Sequence, residues 1–190
     1  MENRLCAGNL ALLEEIGFQI SWTLLRLGYH ECGFIPPMFS QKDICGYAAK
    51  CIEAKKDQDI RVAMLLGAEK DGYEFAEILN DLARSEAVDV ELQSRKLRAL
   101  FLYGQFSALP DDYENGLMEL YQVWGTLGFP DDCPFQAWVR DRLLTATEDY
   151  TQSAYEALKR ANFEWLYQET ASIIRQEQPN NCSPGEGESR

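Results

Sequence analysis

Apolar residues recur at steps of three and four along nearly the whole chain, and no alternating run of β-branched residues is long enough for a strand. That period predicts an all-α fold. Leu13, Ile16, Ile20, Leu24 and Leu27 share one helical face, so a first helix is expected from about Leu10 to Leu27, stopping at Gly28. Ser40 and Asp43 have the spacing of a capping box, which starts a second helix near Gln41 that runs to about Lys55. Further helices are expected over about Gln58–Leu66, Tyr73–Ser85, Asp89–Phe106, Leu117–Leu127, Phe135–Leu144 and Asp149–Gln176. Leu92, Lys96 or Leu97, Leu100 and Phe101 should face inward on the fifth of these helices, with Arg95 and Arg98 solvated. On the last helix Asn162 and Glu169 are expected at the edge of the packing row. Short connectors make consecutive helices pack as neighbours, in an antiparallel multi-helix bundle or a short array of helical hairpins. The lack of a fixed internal period argues against a regular solenoid.

A length of 190 residues fits one domain, and a composition of 46% hydrophobic and 26% charged residues can bury a core. We expect one helical domain over 1–176. A polar tail over 177–190 should follow, since no large apolar residue stands beyond Pro179. Apolar stretches are interrupted by charge, as where Leu10–Leu13 meets Glu14 and Glu15, so no membrane span or signal peptide is read and a cytoplasmic protein is expected. Six cysteines in 190 residues are too sparse for a disulfide scaffold, and buried reduced thiols are the expectation.

Charge narrows the function further. Thirty-one acids against 18 bases leave −13, which disfavours sequence-independent binding to nucleic acid or to an anionic membrane and favours a basic partner. Familiar phosphate-binding and metalloprotease motifs are absent. His30 beside Cys32 lies within one local turn, a poor geometry for nucleophilic catalysis, and the helix dipole accounts for a histidine at that end. No paired cysteine–histidine spacing marks a zinc site, so neither a metal, a cofactor nor an enzymatic activity is expected. Two acidic groups stand out: Glu74, Glu77 and Asp81 at helical spacing, and Asp111, Asp112 and Glu114 at a helix start. Read structurally, they are a solvated face and a dipole-stabilising N-terminus. Read functionally, like charges stacked on one helix invite a cationic partner. The four tryptophans, Trp22, Trp124, Trp138 and Trp165, are expected in or near the core rather than in a ligand box.

Three segments carry a resemblance. They are Phe34-Ile35-Pro36-Pro37 through Asp43-Ile44-Cys45-Gly46-Tyr47-Ala48, Leu97 to Tyr103, and Val123-Trp124-Gly125-Thr126-Leu127-Gly128-Phe129-Pro130-Asp131-Asp132 followed by Trp138-Val139-Arg140. Over about residues 15 to 140 the chain resembles a bacterial family of helical proteins of unknown function, placed among immunity proteins of polymorphic toxins and contact-dependent growth inhibition. It departs from that pattern at Gly104, in its extra cysteines and in its long tail. The resemblance implies an immunity protein, or antitoxin, that binds a cognate toxin domain and blocks its active site. A basic, nuclease-type toxin would meet the acidic surface by charge complementarity. Tyr73, Glu74, Glu77, Asp81, Asp111, Asp112, Tyr113 and Glu114 are the expected partner-binding residues, the two tyrosines being the desolvated anchors that rim charges lack. The alternative is a non-enzymatic helical adaptor or assembly subunit that docks a partner protein on an apolar patch.

Overall fold

The helical period becomes nine α-helices and no strand among the described residues of the computed structural model. These residues are 8–30, 32–33, 35–55, 59–69, 72–142 and 151–178, with the side chains of 139–142 not described. In chain order the helices are α1 (Asn9–Ile16), α2 (Trp22–Tyr29), α3 (Gln41–Glu53), α4 (Ile60–Gly67), α5 (Tyr73–Ser85), α6 (Val90–Ser107), α7 (Tyr113–Thr126), α8 (Pro134–Arg142) and α9 (Gln152–Glu177). The helix starts expected at Gln58 and Asp149, the end expected at Leu144 and the tail from Pro179 onward lie outside the described residues.

Side-chain caps set most of the starts. Ser40 and Asp43 form the reciprocal capping box of α3, and Asp89, Asp112 and Thr151 cap α6, α7 and α9. Each such cap stabilises its helix by about 1 kcal/mol. The single helix expected over Leu10–Leu27 is two helices. Gly17 adopts φ 91°, where a side chain would be strained, and its N–H and that of Phe18 close on the carbonyls of Glu14 and Leu13. Ser21 then restarts the chain by accepting from the Leu24 N–H, while the Glu86 carboxylate accepts from the N–H groups of Trp22 and Thr23. The apolar spacing survives because both helices turn it to the same core, which includes Leu13, Leu24 and Leu25.

α6 is the axis of the fold, packing most extensively on α9 and α2 and also touching α1 and α7. From α2 the packing continues to α5, α4 and α3; on the other side α7 and α8 lean on α9. Arg95 and Arg98, expected in solvent, instead sit half-buried and donate to the carboxylate of Glu169 at 2.8–3.1 Å. Glu169 is therefore no edge residue: its side chain is 11% exposed, and the hydrogen bond from Arg95 is the chief cause that holds its carboxyl below the usual range. Asn162 is also inside, 0% exposed, because its Oδ1 accepts the buried Trp124 indole N–H at 2.7 Å. Arginine and asparagine are admitted to this seam because each brings its own partner.

Lys96 and Leu97 both face inward. The Lys96 ammonium, 1% exposed, pairs with Glu177 and donates to the Gln19 carbonyl at 2.8 Å and to Gln93 Oε1 at 3.0 Å. Glu177 was expected to open the tail. It is instead the last residue of α9, drawn in by this buried cation and by the Gln19 N–H at 3.1 Å.

Candidate functional site

The two acidic groups predicted from sequence occupy different surroundings. On α5, Tyr73 is 79% exposed and its hydroxyl is hydrogen-bonded to Glu77, which raises the tyrosine pKa. Glu77, Asn80, Asp81 and Arg84 line a shallow depression of about 270 Å³ with Tyr73 and Ala76, while Glu74 is exposed outside that lining. The charge of this face is partly answered by the protein itself. Arg84 lies 3.4 Å from Asp81, and Arg61 reaches from α4 to donate to the Asp81 carbonyl at 2.9 Å. Asp59 anchors that arginine, and the hydrogen bond lowers the Asp59 pKa to about 2.

The second group lies where α6 gives way to α7. Asp112 accepts from the Asn115 backbone N–H at 3.0 Å and from its side-chain amide at 2.9 Å, which holds the aspartate pKa low. Asp111 is fully exposed, with the Lys159 ammonium 3.6 Å away. The Tyr113 hydroxyl donates to Glu114 at 3.1 Å, raising the tyrosine pKa. α7 is held close to α9 because Gly116 faces the Tyr155 ring, where a Cβ would overlap it, and the Tyr155 hydroxyl donates to the Pro110 carbonyl at 2.6 Å. Burial pushes the Tyr155 pKa up to about 12.

Beside this second group runs a groove of about 480 Å³ lined by Tyr113, Glu114, Leu117, Met118, Tyr121, Phe135 and Trp138. Glu114, Leu117, Met118 and Tyr121 share one face of α7 at i, i+3, i+4 and i+7, and Phe135 and Trp138 supply the wall from α8. Met118 and Tyr121 are 61% and 57% exposed. Tyr121 stands edge-on to Phe135 at 6.0 Å between ring centroids and tilts against Phe129 at 5.2 Å. Met118, Tyr121 and Phe135 stand outside the set of partner-binding residues expected from the sequence. The available signal was an excess: α7 carries more apolar residues than its inward face of Leu117, Leu120, Val123 and Trp124 can bury.

Of the tryptophans, Trp22 and Trp124 are in the core, Trp165 is half-buried and Trp138 is a groove wall. α5 packs on α2 and α4, whereas α7 packs on α6, α8 and α9, so the two acidic groups stand on different packed units. His30 is exposed at the C-cap of α2. Among the described residues no group of three His, Cys, Asp or Glu side chains could hold a metal ion, and no helix is long and apolar enough to cross a membrane.

Comparison with known sequences gives one family. Residues 10–170 match a family described as an uncharacterized protein conserved in bacteria (DUF2247). No curated protein and no solved structure matches the chain.

Proposed function

The chain belongs to that bacterial family of uncharacterized proteins, and we propose that it is an immunity protein that binds a basic toxin domain and blocks it without chemistry of its own. The observation that carries this reading is the α7–α8 groove, in which exposed aromatic and thioether side chains adjoin an acidic rim in a chain of net charge −13. Desolvated apolar anchors supply affinity, while rim carboxylates set the association rate and reject acidic competitors. Of the eight residues expected to bind the partner, Tyr113 and Glu114 line the groove, with Asp111 and Asp112 just before them in the chain. Tyr73, Glu74, Glu77 and Asp81 form a secondary, steering surface, since part of their charge is offset by Arg84. The protein would act in the cytoplasm, where a toxin domain that attacks nucleic acid meets its target.

The tagged chain is used at about 50 mM salt to capture the toxin domain, and the complex is then washed at about 500 mM, where exposed charges are largely screened. The captured domain is expressed in bacteria with and without this protein. Growth arrest that this protein relieves, with salt-sensitive binding, supports the reading; a captured domain that is harmless alone contradicts it.

A second reading, an adaptor that docks a helix on an apolar patch, has its own observation. A groove of about 410 Å³ on α1, α6 and α9 is lined by Ile16, Ala99, Tyr103, Phe163, Leu166, Tyr167 and Thr170, with no charged side chain among the described residues. Partner binding that is indifferent to salt and lost in Tyr167→Ser favours that reading.

A further inference from the structure

α2 and α5 pack antiparallel. The Thr23 hydroxyl donates to the Ala83 carbonyl at 3.2 Å, and the Tyr29 ring stands edge-on to Phe75 at 5.3 Å between centroids. Position 23 therefore lies beside 83 and position 29 beside 75, a register that sets Arg26 across from Asn80. Arg84 follows Asn80 by one turn on the same face of α5, about 6 Å along the axis, a distance that an extended arginine side chain covers. The three side chains accordingly line one pocket of about 320 Å³, together with the buried Thr23 and Ala83.

Charge in this pocket is unbalanced. Two arginines face one carboxylate, that of Glu86, in a chain of net charge −13. Glu86 is committed to the positive end of α2, where it accepts from the N–H groups of Trp22 and Thr23 at 2.8 Å and from the Thr23 hydroxyl at 3.0 Å. Among the described residues no carboxylate pairs with Arg26, whose half-buried guanidinium has no acceptor, and the Asn80 amide has no hydrogen-bond partner. Arg84 is held by Asp81 at 3.4 Å in an exposed pair, which is weak and leaves the guanidinium able to turn inward. Val88 and Val90 add an apolar wall, with Val90 53% exposed.

We propose that this pocket binds a small organic monocarboxylate with a short apolar stem. Its oxygens take the Arg26 fork and the Asn80 amide, Arg84 closes over it from the exposed side, and the stem lies on Val88 and Val90. A carboxylate fits better than a phosphate because it is planar, accepts two parallel hydrogen bonds from one guanidinium, and brings a single negative charge toward Glu86 where a phosphate brings about two. The volume falls in the range of small-molecule sites. The site does not depend on the toxin reading.

The probe is 4-methylpentanoate, titrated at about 50 mM salt against the full chain carrying methyl-labelled valine. Its neutral isostere, 4-methylpentanamide, is the comparison. Saturable movement of the Val88 and Val90 methyls by the acid is expected, with buried Val62 and Val123 unmoved. The amide should bind at least about fivefold more weakly, as should the acid to Arg26→Gln or Asn80→Leu. Unshifted Val62 and Val123 signals certify the fold of both variants. Inorganic phosphate at the concentration of the acid should leave the shifted signals in place. No movement of Val88 and Val90 by the acid, or equal movement by the amide, overturns the site. Undiminished binding to Arg26→Gln overturns it too, and displacement by phosphate overturns the carboxylate as its ligand.

Discussion

α5 and α7 begin alike, with a tyrosine at the first helical position, a glutamate at the second and further acids close by, yet the fold gives them different capacities. On α5 the inward face takes all the large apolar residues except Tyr73, so the outer face is polar and its Asp81 already has an arginine. On α7 the apolar residues overflow the inward face, and α8 meets the overflow with two aromatic walls. An acidic cluster next to an apolar groove can bind; an acidic cluster alone mostly steers. The difference comes from what packs beside each helix rather than from the helix itself.

The strongest way to break the comparison is to remove the frame that both regions hang on. Lys96→Met leaves Glu177 in its buried position without its cation, and the expected cost is about 3–5 kcal/mol of global stability, read by urea denaturation. Loss of under about 1 kcal/mol would mean that the Lys96–Glu177 pair does not tie α9 to the connector between α1 and α2.

With a partner in hand, Tyr121→Ala should weaken binding by about 2 kcal/mol or more, whereas Tyr73→Ala should cost under about 1 kcal/mol. Glu77→Gln should cost less again, as a rim charge does. Titration calorimetry on the three variants orders the two regions, and the reverse order moves the interface to α5.

Asn162→Leu sharpens the comparison from below the groove. It strips the partner from the buried Trp124 indole N–H, at a cost of about 1–3 kcal/mol. Because Trp124 sits in α7, amide exchange should rise along α7 before it rises along α5, and a uniform rise would show that the two regions open together.

The smallest effect is a pH effect on the other region. The Asp59 pKa is depressed in the folded chain to about 2, chiefly by the side-chain hydrogen bond from Arg61. The stabilisation is therefore full above the ordinary aspartate value and is lost as the pH falls through about 2. Since the pair is about one-third exposed, solvent screening keeps its worth under about 1 kcal/mol. Local exchange in α4 and α5 should increase on acidification from about pH 4 to about pH 2, and Asp59→Asn should remove that step. The same acid sensitivity in the Asn variant would assign it to another carboxylate.

Much of this fold was legible because local rules govern it. The helical period, the Ser40–Asp43 box, the Asp89 cap and the Tyr73–Ser85 boundaries all follow from residues within one or two turns. The break at Gly17 was not, since Leu13, Ile16, Ile20, Leu24 and Leu27 read the same whether one helix or two present them. The buried charges escaped for a different reason. Arg95 and Arg98 read as solvent residues, and Lys96 only as an alternative to Leu97 on the inward face, because their partners Glu169 and Glu177 arrive from more than seventy residues away. In the candidate site the tyrosines and acids were visible, but the groove was not, because its second wall depends on how α8 meets α7.

The most direct test is an exchange footprint of the complex: deuterium uptake of the full chain, alone and saturated with the proposed toxin domain. Binding in the α7–α8 groove predicts protection over 113–121 and 134–138 with little change over 73–85. Protection confined to 73–85, or to α6 and α9 around Tyr103 and Tyr167, would contradict it.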